Sequence, residues 1–110
     1  MHARVICYEG AAPDAIDENL QQKKQVLPTE FGQTEGMRGV VFLTDRKTGS
    51  IVVISLWDGE DAMQASEDEA TRVREEVTEP DETASVEHYE VALLEIAQES
   101  PGTGNAITEE

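Results

Sequence analysis

The sequence predicts an α+β domain of order β-α-β-β-α-β, built on a four-stranded antiparallel sheet. Three observations carry this expectation. Four runs rich in β-branched and aromatic residues are spread along the chain, and the middle two are joined by a short polar connection. Two segments of helical period, each opened by acidic residues, fill the gaps between first and second and between third and fourth runs. The chain has 110 residues, enough for one core and too few for two.

The first strand is Ala3-Arg4-Val5-Ile6-Cys7-Tyr8, closed by Gly10. Ala11-Ala12-Pro13-Asp14 opens a helix, because proline is accommodated in a first turn and acids favour its positive end. Ile16, Leu20, Lys24 and Leu27 recur at helical spacing with Val26 beside them, and only the lysine interrupts the stripe. Pro28 is expected to end or bend this helix, Phe31 to anchor its exit, and 32–36 to form a loop. Met37 to Thr44 and Ser50 to Trp57 are two strands joined through Asp45-Arg46-Lys47-Thr48-Gly49, the pattern of a hairpin. Asp58-Gly59-Glu60-Asp61 starts a second helix, whose stripe of Ala62, Met63, Ser66, Ala70, Val73 and Val77 is narrow and partly small. Glu79-Pro80-Asp81 breaks it, and Ser85 to Ile96 is read as a long last strand. The folded domain is thus expected over 1–96, with 97–110 a flexible acidic tail too poor in apolar residues to pack alone. This order is the split βαβ, or ferredoxin-like, arrangement. Right-handed crossovers are expected to pair the first strand in parallel with the third and to flank it by the fourth.

Two helices cover one face of such a sheet, so a monomer should alternate apolar and polar residues. Here both faces are apolar. Ile51 and Val53 oppose Val52, Ile54 and Leu56; Val41 and Leu43 oppose Val40 and Phe42; Tyr89, Val91 and Leu93 oppose Val86, Ala92 and Leu94. A patch of that extent calls for a cover, and a second copy of the same sheet supplies one, so two sheets are expected to pair in a homodimer. The alternative is a monomer with an unusually apolar solvent face.

The chain carries 24 acidic against 8 basic residues, a net charge of −16. Such a chain repels phosphate backbones and anionic membrane surfaces, which argues against nucleic-acid and membrane partners. No run approaches the ~20 apolar residues of a bilayer span, and the N-terminus has no basic segment followed by an apolar one. Cys7 is the single cysteine, so no internal disulfide or cysteine-based zinc cage can form, and burial on a central strand should leave it inert. The expectation is a cytoplasmic protein. Its acidity suits either a high-salt habitat or a merely acidic protein from a GC-rich genome.

Gly36-Met37-Arg38-Gly39-Val40, the Asp45-Arg46-Lys47-Thr48-Gly49 turn, Ile54-Ser55-Leu56-Trp57-Asp58 and Asp61-Ala62-Met63 together resemble the dimeric α/β barrel superfamily, nearest to its antibiotic-biosynthesis-monooxygenase-like branch. The resemblance covers roughly residues 2 to 96. It implies the dimeric barrel fold, and its motifs specify fold far better than chemistry. Members include cofactor-independent monooxygenases of phenolic or quinone-type substrates, haem-degrading enzymes, isomerases, dehydratases and proteins without known activity. The haem-degrading branch relies on an Asn in strand one, a Trp within helix two and a His late in that helix. Arg4 is the nearest residue to the first by register, and the second helix from Asp61 to Val77 holds neither Trp nor His. Trp57 matches the structural tryptophan of the family, which ends strand three.

The resemblance therefore implies either a cofactor-free monooxygenase acting on a small aromatic or quinol-like substrate, or a non-catalytic dimer that binds a small ligand or serves a stress or regulatory role. His88 can be a general base or a hydrogen-bonded sheet histidine. Tyr8 and Tyr89 can each offer a hydroxyl to a phenolic ligand or simply pack. Trp57 can stack on a planar ligand or anchor the core where strand meets helix. Arg4 and Arg38 need partners inside apolar strands, either acids at the dimer edge or an enolate-type anion. The candidate catalytic set is thus His88, Tyr8, Arg4 and Arg38, with Trp57 and Tyr89 in the ligand pocket. His2 and His88 have no metal-ligand spacing, and the glycines stand singly in turns, so no metal, flavin or nicotinamide is expected.

Overall fold

The computed structural model describes residues 1–31 and 35–97, the side chains of 27–31 excepted. The expected Leu27 stripe position and Phe31 anchor, much of the loop after it and nearly all of the tail lie outside the described residues. The elements are β1 (His2–Glu9), a 3-10 turn (Pro13–Ala15), α1 (Ile16–Phe31), β2 (Met37–Asp45), β3 (Ser50–Trp57), α2 (Glu60–Ala65), α3 (Glu67–Val77) and β4 (Thr83–Glu90). The strands form one antiparallel sheet in the order β2-β3-β1-β4. The α+β, ferredoxin-like architecture is as expected.

Four expectations are corrected. β1 pairs with β3 antiparallel, not parallel. The hairpin turns the chain back between β2 and β3, so the strand laid beside β1 must run against it. Pro28 does not end α1, which continues to Phe31; a proline removes only one intrahelical bond. β4 stops at Glu90, well short of Ile96. Its partner β1 begins at His2, which faces Glu90, and the Val91 N–H takes the Met1 carbonyl as the last rung. Beyond it no strand among the described residues is left to pair, and Leu93, Leu94 and Ile96 are exposed.

The fourth correction is that the second helix is two. Its stripe is as expected, with Met63, Ser66, Ala70, Val73 and Val77 buried, but the helix breaks at Ser66. The Met63 carbonyl accepts from the Ser66 N–H at 3.2 Å, the Ser66 hydroxyl at 2.8 Å and the Arg4 guanidinium at 2.8 Å. Three donors on one carbonyl tighten the turn, and the axis restarts at Glu67.

Alternation along β3 sorts the sheet. Ile51, Val53, Ser55 and Trp57 are buried beneath the helices, and register places Ile6, Tyr8, Phe42 and Val86 on the same face. With Ile16, Met63, Ala70, Val73 and Val77 these make the core. The other face carries Val5, Cys7, Val41, Leu43, Val52, Ile54, Leu56 and Tyr89. Val41, Leu43 and Tyr89 there are 42%, 48% and 51% exposed. Cys7 is only partly buried, and burial, with help from Glu9 and Glu87, pushes its thiol pKa up. Where the hairpin closes, Gly49 adopts φ +83°, and a Cβ there would stand 2.6 Å from the Ala11 carbonyl oxygen. That approach seats the hairpin end against the entry to α1.

Candidate functional site

Arg4 and His88 face each other across the β1–β4 ladder and project to the helical side of the sheet. The break at Ser66 sets Glu67, the first residue of α3, above both. Arg4 Nε and Nη2 donate to Glu67 Oε2 at 3.2 and 3.0 Å, and His88 Nε2 lies 2.7 Å from the same oxygen. Arg4 is wholly buried; its Nη2 also donates to Ser66 Oγ at 2.8 Å, and its guanidinium lies 5.3 Å from the centre of the Trp57 ring. An arginine in an apolar strand is thereby neutralised by a carboxylate and stacked on an aromatic face. Burial opposes ionisation of Glu67, but the hydrogen bond and charge of Arg4, then those of His88, outweigh it and hold the carboxyl below its ordinary range.

A cleft of about 490 Å³ opens beside this series, lined by Glu60, Met63, Gln64, Glu67 and His88. Met63 gives it an apolar floor, and the other four give it hydrogen-bonding walls. In the tautomer of His88 that carries its proton on Nε2, Glu67 accepts that proton and Nδ1 keeps a free lone pair. A carboxylate that orients an imidazole, itself held by a buried cation, is a competent general-base arrangement.

Of the six side chains singled out in the sequence, the structure brings His88, Arg4 and Trp57 together; His88 lines the cleft, while Arg4 and Trp57 lie beneath it. Trp57 is fully buried and donates through Nε1 to Ser55 Oγ at 2.9 Å, so its place is in the core. Arg38 stands apart at the rim, 3.0 Å from Asp58 with both side chains more than half exposed. Both arginines thus find acids within the same chain, and neither lines the cleft. Tyr89 is on the opposite face of the sheet, its hydroxyl donating to Glu87 at 2.7 Å. Tyr8 is buried on the helical face, but among other partners: the Lys23 ammonium lies 4.5 Å above its ring.

Sequence reasoning missed Glu67 and the buried Lys23–Glu82 ion pair, whose charged atoms are 2.9 Å apart with both side chains fully buried. The apolar stripe of α1 pointed to Lys24, which is exposed, while the buried face runs through Ile16, Asn19 and Lys23. The one available signal for Glu67 was the need of Arg4 for an acid, and eleven acids between Asp58 and Glu82 could have met it. Among the described residues no group of three or more His, Cys, Asp or Glu side chains is placed to hold a metal ion, and no helix is long and apolar enough to cross a membrane.

No family model matches the chain. An uncharacterised protein of Mycobacterium tuberculosis is 29% identical over 85 residues, covering 76% of this chain and 38% of that protein. The chain thus spans about two fifths of the length of the curated relatives it matches. Among solved structures, an antibiotic biosynthesis monooxygenase of Deinococcus radiodurans superposes with a TM-score of 0.63 at 14% identity, over 90% of this chain and all of that one. A dimeric ferredoxin-like protein of an uncultured marine organism gives 0.67 at 10% identity, over 88% and 92%. A haem degrader of Mycobacterium tuberculosis, solved with two haems in its active site, gives 0.66 at 20% identity, over 88% and 100%. The fold is the one these proteins share, an antibiotic-biosynthesis-monooxygenase-like ferredoxin fold. The cleft does not fit haem. Glu60 and Glu67 on its walls would meet the carboxylates that haem itself carries.

Proposed function

We propose that the protein is a monooxygenase needing no bound cofactor, which oxidises a small aromatic or quinol-like substrate in the His88 cleft. The observation that supports this is the hydrogen-bonded series Arg4–Glu67–His88 on the wall of a partly apolar cleft. His88 Nδ1 takes a proton from an activated CH2 of the substrate, and Glu67 stabilises the imidazolium that forms. The substrate carbanion gives its electron pair to O2 and forms a C–O bond, yielding a peroxide. His88 returns its proton to the outer peroxide oxygen and then takes the second C–H proton as the O–O bond breaks. The carbon becomes a carbonyl, and the outer oxygen leaves as hydroxide, which takes that second proton from His88 to become water. In sum, CH2 and O2 give C=O and H2O. Glu67 and Arg4 are positioning residues in this scheme.

The test is oxygen uptake with an anthrone, whose ring CH2 is the activated group. His88→Ala should lower the rate at least 100-fold. Glu67→Gln should lower it about 10-fold and shift the acidic limb of the pH profile to lower pH, because the imidazolium loses its counter-charge. Uptake no faster than the buffer blank, or equal in His88→Ala, overturns the reading. A second reading is favoured by one observation: the arginines expected to steady an anion are both occupied by carboxylates of this chain. On it the protein is a non-catalytic binder of small ligands, and the same compound would shift the His88 resonances without oxygen uptake.

The working form we propose is a cytoplasmic homodimer. The open apolar face of the sheet, with Val41 and Leu43 on the edge strand β2 and Ile54 beside them on β3, supports it, and one structural neighbour is itself dimeric.

A further inference from the structure

At the far end of the helical layer from the cleft lie charged and hydroxyl side chains that the proposed chemistry does not use. Lys23 Nζ donates to Glu82 Oε1 at 2.9 Å and to the Val77 carbonyl at 3.2 Å, and lies over the Tyr8 ring. Glu82 Oε1 accepts also from the Glu79 N–H at 3.0 Å. Arg74 Nη2 donates to Thr71 Oγ1 at 3.3 Å. Three atoms remain, each buried and without a protein partner: Tyr8 Oη, Glu82 Oε2 and Arg74 Nη1. Tyr8 is 0% and Glu82 7% exposed. Folded proteins leave few such atoms, and those they leave are commonly met by ordered water.

The chemistry of the three atoms selects the guest. Arg74 Nη1 only donates, Glu82 Oε2 only accepts, and a phenol does both. An anion would face the Glu82 carboxylate. An ammonium would face Arg74 and Lys23. An apolar molecule would satisfy none of the three. A small neutral group that both donates and accepts satisfies all of them. Lys23 ties Glu82 to the Tyr8 ring, and Arg74 stands on α3 one turn before the Val77 carbonyl that Lys23 also holds. We propose that Tyr8, Arg74 and Glu82 form an internal site for one water molecule, which donates to Glu82 Oε2, accepts from Arg74 Nη1 and completes the bonding of Tyr8 Oη. The water joins β1, α3 and the entry to β4, and it assigns Tyr8 to this bridge instead of to the cleft.

The test is a high-resolution crystal structure with water-selective nuclear Overhauser spectra of the same protein. The expected result is one ordered water within hydrogen-bonding distance of Tyr8 Oη and Glu82 Oε2, seen in solution as a long-lived water near the Tyr8 amide. In Tyr8→Phe its residence time should fall several-fold, while the His88 titration stays in place. Should that variant not fold, Arg74→Met probes the same site from the α3 side and should shorten the residence time likewise. A Tyr8 hydroxyl bonded directly to Glu82 or Arg74 with no water between them, or a water signal indifferent to these substitutions, overturns the proposal.

Discussion

Removing one half of the Lys23–Glu82 pair should destabilise this protein more than removing any exposed ion pair. The two charged atoms are 2.9 Å apart, both side chains are fully buried, and Glu82 Oε1 also holds the Glu79 N–H. Glu82→Gln leaves a buried ammonium without its counter-charge, and Lys23→Met leaves a buried carboxylate. Each single change should cost about 3–5 kcal/mol, since the uncompensated charge stays out of water. For a chain of this size, where 1 kcal/mol moves Tm by about 4 °C, that is a fall on the order of 12–20 °C. The double variant keeps an acceptor for Glu79 and buries no charge, so it should lie within about 2 kcal/mol of the wild type. Urea unfolding of the four proteins gives the coupling energy directly. Singles that cost under about 0.5 kcal/mol, or a double variant whose loss is the sum of both, would refute the reasoning.

Four further outcomes are expected. In dilute buffer the protein should scatter light as a dimer of ~24 kDa, and Val41→Asp should weaken that dimer by several kcal/mol through an unpaired buried charge; a monomer across all salt concentrations sinks the expectation. Mixed with haem and a reductant, the protein should leave the Soret band decaying no faster than free haem, and conversion to a linear tetrapyrrole would show that another constellation suffices. Tm should rise by several degrees between 0.02 M and 1 M NaCl, because the Debye length falls from about 20 Å to ~3 Å and repulsion outweighs the few ion pairs lost; a flat or falling Tm means the carboxylates are locally paired. Glu67 has a folded pKa below its unfolded value, so its contribution to stability is present above about pH 4.3 and is lost as pH falls through the folded pKa. The stability gap between wild type and Glu67→Gln should therefore narrow in acid, and a gap that is constant down to pH 2 contradicts the assignment.

The sheet was legible because its signals are local. The hairpin is written in two β-rich runs and the turn Asp45–Gly49, and the second apolar face is visible in simple alternation along Ile51 to Leu56. What was not legible depends on partners distant in sequence. Val91 to Ile96 reads as strand on composition, yet a strand needs a neighbour, and β1 has ended. Lys23 and Lys24 are indistinguishable until α3 and Glu82 fix which way α1 faces. The break at Ser66 follows from Arg4, 62 positions away, and no helical propensity encodes it. In the site, His88 and Arg4 could be named as types of residue, whereas Glu67, which joins them, was one acid among many.

That break also divides labour within the helical layer. α2 packs on β1 and β3 and supplies Glu60, Met63 and Gln64 to the cleft; α3 packs on α1 and supplies Arg74 and the Val77 carbonyl to the buried charged network. With Arg4 fastening the joint at Met63 and Ser66, exchanges on α2 reach the cleft without passing through the network that fixes α3. Such a layout favours evolvability: ligand preference can drift on one short helix while the scaffold beside it stays intact, and a library confined to the exposed positions 60 and 64 is the natural place to seek new specificities.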